Sequence, residues 1–155
     1  MKISRPVLFL AFAALLCIGF AASASGQSAQ QKFLGKWKLD TALSKIAHPN
    51  ETGNVQWRAY EPDGDRDKVS WGNAAGLAGT YSAKCDGTLE PTSAGQIRCR
   101  QTGANKINGE QLDNNDRLHH FYSRIISSHG KVMSIIWYAD EKRHRALDRF
   151  VYTKN

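Results

Sequence analysis

The residues best able to do chemistry in this chain are its histidines, cysteines and clustered acids. His48, His119, His120, His129 and His144 are scattered, and none falls in the H-E-x-x-H pattern or another spacing that sets ligands around a metal. His119 and His120 are adjacent, so on an extended segment their rings point to opposite faces and cannot share an ion. On an inward face His120 reads either as a hydrogen-bonded core histidine or as a ligand contact. Asp63 and Asp65 flank Gly64, where short polar side chains favour a turn; a calcium loop needs more oxygen ligands than this turn has. Serines are numerous, yet no Gly-x-Ser-x-Gly elbow or phosphate-cradling glycine loop occurs. No catalytic residue, metal site or cofactor is therefore assigned.

The cysteines read as structural. Cys85 and Cys99 lie too far apart for the C-x-x-C spacing of redox catalysts, and an even pair in an oxidising compartment is expected to form a disulfide. The compartment is argued from the first segment. Lys2 and Arg5, the apolar residues 7–20 and the small residues Ala22-Ser23-Ala24 compose a secretory signal peptide, cleaved near Ala24. Its apolar run, about 14 residues, is shorter than the roughly 20 that span a bilayer, so no transmembrane segment is expected. The flanks of Cys17 do not suit lipidation. The expectation is a secreted or periplasmic protein, with 1–24 a signal peptide and 25–155 one domain able to bury about two thirds of its surface.

Formal charge is +7, and loss of Lys2 and Arg5 with the leader lowers it to +5. Basic and acidic residues alternate along the chain, as in Asp63-Gly64-Asp65-Arg66-Asp67-Lys68. Such mixing describes a solvated surface, whereas a nucleic-acid stripe needs cations clustered on one face. No nucleic-acid partner is expected.

The elements that must position any site are strands. Between turn signals nearly every stretch alternates with period two, and none of helical length keeps a 3.6-residue period. Strands are expected over 35–39, 55–60, 68–72, 80–85, 96–101, 106–111, 117–127, 131–138 and 147–153, separated by turn-forming stretches such as Asp63-Gly64, Asp86-Gly87 and Ser128-His129-Gly130. A short helical turn is expected before the first strand. Eight or nine short strands joined by hairpin turns make an all-β, antiparallel up-and-down meander, which removes its exposed edges by closing into a barrel.

Within that pattern the first strand is informative. Gly35-Lys36-Trp37-Lys38-Leu39-Asp40 with Ser44-Lys45, then "YEPDGD", "YSAKCDG" and the closing "RFVYTK", resemble the lipocalin-like, or calycin, β-barrels, and within them a largely uncharacterised group of secreted bacterial lipocalin-like proteins. The resemblance implies that Gly35 bends the chain into the barrel. It implies also that Trp37 plugs one end beneath a cation from the last strand, with Arg149 the first choice and Lys154 the second. It departs from the fatty-acid-binding branch, whose closing Arg-x-Tyr is here Arg149-Phe150-Val151-Tyr152, with the two side chains on opposite faces. The haem-binding Gly-x-Trp-x-Gly-x-Gly is unmatched.

Alternation assigns Val55, Trp57 and Ala59 to the inside against Gln56, Arg58 and Tyr60, and Val69 and Trp71 against Lys68 and Ser70. It places Cys85 and Cys99 on the apolar face. The later strands are apolar on both faces, which leaves their inside open and raises a protein partner or homodimer through them. Candidate barrel-lining residues are Trp57, Trp71, Tyr81, His120, Tyr122 and Trp137. They either line a calyx for a small hydrophobic ligand or fill a small barrel. The expected function is a secreted or periplasmic binding protein for a small apolar or amphipathic ligand. The alternative is a closed barrel acting as an envelope, protein-interaction or inhibitor-type module without a ligand.

Overall fold

The computed structural model describes residues 31–48, 55–93, 95–114 and 119–155. The expected signal peptide lies outside the described residues, as does Leu118 at the head of one expected strand. Ten strands follow in chain order: β1 (Gly35–Leu39), β2 (Trp57–Asp63), β3 (Arg66–Asn73), β4 (Gly76–Ala83), β5 (Asp86–Thr92), β6 (Gly95–Gly103), β7 (Lys106–Asp113), β8 (His119–Ile126), β9 (Val132–Tyr138) and β10 (Ala146–Lys154). All pair antiparallel in the order β4-β3-β2-β1-β10-β9-β8-β7-β6-β5, so each strand except β4 neighbours the next in sequence, and β1 meets β10. This is an all-β up-and-down barrel, nearly closed, with one helical turn at 31–33 before β1.

The barrel has one strand more than the nine expected segments. β5 escapes the alternation argument because Asp86-Gly87 reads as a turn and Pro91 interrupts the run. A proline is tolerated here because β5 ends the ladder order and needs hydrogen bonds on one side only.

No ladder joins β4 to β5. The seam is closed by side chains. Glu90 on β5 accepts from the Lys84 backbone N–H at 2.8 Å and pairs with Arg66 of β3 at 2.8 Å. Cys85, between the two strands, is bonded to Cys99 of β6.

Register defines the inside. Trp37 faces Arg58, which faces Trp71 and then Gly79 along adjacent strands; Gly35 likewise faces Tyr60, Val69 and Tyr81. On the other side Tyr122 faces Gly109 and Trp137, and Arg124 faces Ile107 and Ile135. The inner face of β8 is thus His120, Tyr122, Arg124 and Ile126, and that of β9 is Met133, Ile135 and Trp137. The outward set is quieter than its composition suggests. Phe121 is buried, with its ring tilted against that of His119 at 4.2 Å between centroids. Among the described residues the exposed large apolar side chains are Leu43, Leu77 and Leu89, none of them on β8 or β9.

One end of the barrel is plugged. Trp37 is fully buried and donates its indole N–H to the Phe33 carbonyl at 2.8 Å. The cation over its ring is Lys154, with Nζ 5.2 Å from the centroid. Arg149, the first choice from sequence, is exposed on the opposite face and donates to the Ser134 hydroxyl. Register decides this: Trp37 pairs with Lys154, and Arg149, five residues earlier, has the opposite parity on the strand. Gly35 adopts φ +117°, and a side chain there would press on the Lys154 stem.

Candidate functional site

Two arginines point into the barrel. Arg124 is 2% exposed and lies over three rings, 5.0 Å from Tyr60, 5.7 Å from Phe33 and 5.8 Å from Tyr122. One terminal nitrogen reaches the Cys85 sulfur at 3.4 Å. Its Nε and other terminal nitrogen are sealed from solvent with no well-formed hydrogen bond, the Tyr60 hydroxyl being a weak polar neighbour at most, as Tyr81 is to the Tyr122 hydroxyl; the hydroxyls of Tyr60 and Tyr122, the indole nitrogen of Trp137 and Oδ2 of Asp67 are sealed likewise. Arg58 sits nearer the less buried end. It donates to the Tyr152 hydroxyl at 3.3 Å and lies about 6 Å from the centroids of Trp71 and Tyr152.

A buried charge short of hydrogen bonds is among the most costly groups a fold carries. The aromatic faces offset part of that cost for Arg124. Burial works against the charge of both arginines, yet the surrounding phenol groups outweigh it, and both pKa values lie above the ordinary guanidinium value. Burial raises the phenols of Tyr122 and Tyr81, with Arg124 pulling each partly back. Burial likewise raises the Asp67 carboxyl, against the opposing pull of Arg124. Around Arg124 the interior is lined with hydrogen-bond donors, with Asp67 the acid that resists ionising, while Asp148, opposite Trp137, is held by the Ala47 and His48 N–H groups.

The sequence candidates fall on both sides of the wall. Trp71, Tyr81, His120, Tyr122 and Trp137 face inward: Trp71 and Tyr81 are 5.7 Å apart, His120 and Trp137 also 5.7 Å, and Tyr122 and Trp137 5.3 Å. Trp71, Tyr81, His120 and Arg58 keep partial exposure despite facing inward, whereas Tyr60, Val69 and Arg124 do not. The inward side chains are therefore least covered at the end away from Phe33. Gly109 makes room for the inward ring of Tyr122, because a methyl group there would collide with it.

Trp57 faces outward, with Ala59, opposite the exposed Lys38 and Lys36. It borders an outer cleft of about 420 Å³ shared with Asn73 and Asn155 and donates to the Asn73 carbonyl at 3.3 Å. Gly72, its partner on β3, leaves room for the ring, since a side chain there would collide with it. Reversing this strand brings in Arg58 and Tyr60, which apolar alternation had sent outside. Arg124 was missed differently. It sits between Tyr122 and Ile126 on the face that alternation favours, and the charge in that row was the available signal.

The chain matches no protein-family model and no curated protein in sequence. Its fold does match solved structures. A Schistosoma mansoni fatty acid binding protein in complex with arachidonic acid superimposes with TM-score 0.59 at 17% identity, covering 82% of this chain and 98% of that one. As-p18, described as an extracellular fatty acid binding protein, gives 0.62 at 11%, covering 83% and 100%. A fatty acid-binding protein from brain tissue of Drosophila melanogaster gives 0.56 at 17%, covering 78% and 98%. These likenesses establish a shared barrel architecture.

They also correct the resemblance drawn from sequence. The similar barrels are fatty-acid-binding proteins, not secreted bacterial lipocalin-like proteins, so the assignment to that group is withdrawn. The secreted or periplasmic placement, in the function as in the localisation, is withdrawn with it. Among the described residues no helix is long and apolar enough to cross a membrane.

Proposed function

We propose that this chain binds a small amphipathic acid inside its barrel, with the acid head on Arg124, Tyr60 and Tyr122 and the apolar tail along Trp71, Tyr81 and Trp137 toward the open end. The observation that carries the reading is the set of buried donors left without partners around Arg124. A carboxylate there accepts from the two idle guanidinium nitrogens and from the phenols, and converts an uncompensated buried charge into a paired one. His120, on the same inner face and against the edge of Trp137, lines the tail region. The fold's likeness to fatty-acid-binding barrels agrees with this choice of ligand class and does not by itself establish it. The reading of a closed barrel acting through its outer face has no observation in its favour, since β8 and β9 present no large exposed apolar side chain.

Calorimetric titration of the delipidated protein with decanoic acid and with decanol tests the proposal. The acid is expected to bind one to one and the alcohol much more weakly. Arg124→Leu is expected to weaken the acid by roughly tenfold or more, the worth of a hydrogen bond to a charged group. Failure of the folded protein to take up decanoic acid, or equal binding of acid and alcohol, rules the proposal out.

A further inference from the structure

The acid site faces a second, opposite group that a plain fatty acid leaves unused. Asp67 points inward from β3 opposite Ala83 and is 7% exposed, with Oδ2 sealed and unpartnered. It lies one inward position from Val69, whose neighbours across the sheet are Tyr60 and Tyr81. Tyr60 is the ring on which Arg124 rests most closely. Cys85, which Arg124 touches, is two residues beyond Ala83. Asp67 and Arg124 therefore occupy one level of the same chamber. Among the described residues no ion pair joins them, although nothing would relieve either more than the other's charge.

Resting on the reading above, we infer that the ligand's head carries a hydrogen-donating hydroxyl beside its carboxylate, and that Asp67 accepts it: the preferred ligand is a hydroxylated amphipathic acid. A carboxylate alone satisfies Arg124 but brings negative charge next to Asp67 and leaves Oδ2 without a donor, and both effects cost binding energy. A hydroxyl near the carboxylate supplies that donor. Asp67 is then a specificity residue, and Arg124 the affinity residue. Of the other inward charges, Arg58 is engaged with Tyr152, Glu90 with Arg66, Asp148 with the Ala47 and His48 backbone N–H groups and Lys154 with the Trp37 ring, so none competes for this role.

Calorimetric titration of the delipidated protein with 3-hydroxydecanoic and decanoic acid at neutral pH reads the inference as a ratio. The hydroxy acid is expected to bind roughly tenfold tighter, and Asp67→Ala to bring the ratio near one while decanoic acid binds at least as well as to the native chain. Asp67→Leu, closer in volume, serves if the alanine variant does not fold. Equal affinities in the native protein, or a preference that survives loss of Asp67, overturn the inference. If decanoic acid binds through Arg124 with no preference, this inference alone fails. If neither acid binds, the acid site itself is wrong. If the two acids bind equally and ever more weakly as pH rises, Asp67 serves as a protonated donor to the carboxylate, and the hydroxyl is not required.

Discussion

Single residues in this barrel divide into those that hold it and those that strain it. Trp37 holds it: the ring is buried, hydrogen-bonded to Phe33 and covered by Lys154. Trp37→Ala is expected to cost about 3–5 kcal/mol, as deletion of a buried aromatic does, measured by urea unfolding. Lys154→Met keeps the stem over the ring and should cost much less, about 1 kcal/mol, which isolates the cation's share. Asp67 strains the barrel. Its folded pKa is raised above the ordinary value of 3.8, first by burial, so the folded state holds the proton more tightly than the unfolded chain. That contribution is complete below the unfolded pKa and is lost as pH rises toward the folded one. Asp67→Asn should therefore gain stability relative to the native protein between acid and neutral pH. Melting temperatures followed across that range check this, and a difference independent of pH would assign the burial cost elsewhere.

At the scale of elements the weak place is the seam between β4 and β5. Every other neighbouring pair is zipped by backbone hydrogen bonds, whereas this one relies on Glu90, Arg66 and the Cys85–Cys99 bond. Reduction of the disulfide is expected to destabilise the fold by roughly 3 kcal/mol in the chain-entropy picture, seen as a shift in the urea midpoint with reductant. Glu90→Gln removes the charge while keeping shape, and leaves the Arg66 guanidinium without its carboxylate. Backbone amides of β5 should then exchange faster, with those of β9 unchanged. Exchange that rises equally in β9 would mean that the seam and the far wall open as one unit.

Across the whole molecule, most of the strands, their antiparallel order and closure into a barrel were legible because turns and period-two alternation are local signals. β5 was not, since a glycine turn signal and a proline mask a strand whose pairing on a single edge makes both acceptable. Nor was the chamber wall. On β2 the large apolar residue, Trp57, lies outside, and the residues that alternation sent to solvent, Arg58 and Tyr60, form the interior. On β8 the inner row was among the candidates through His120 and Tyr122, but Arg124 in that row was passed over, because a guanidinium is ordinarily a surface group.

What the sequence by itself determined is therefore nine of the ten strands and the up-and-down order that joins them, and that a glycine and a tryptophan open the first one. Only the tertiary structure decided which face of β2 turns inward, which cation covers Trp37, and that Arg124, Asp67, Tyr60, Tyr122 and Trp137, all with sealed polar atoms, meet inside the barrel. The physical reason is that alternation specifies two faces without labelling them. The label comes from register across strands far apart in the chain, where Trp37 against Lys154 and Arg58 against Trp71 settle the parity of everything between.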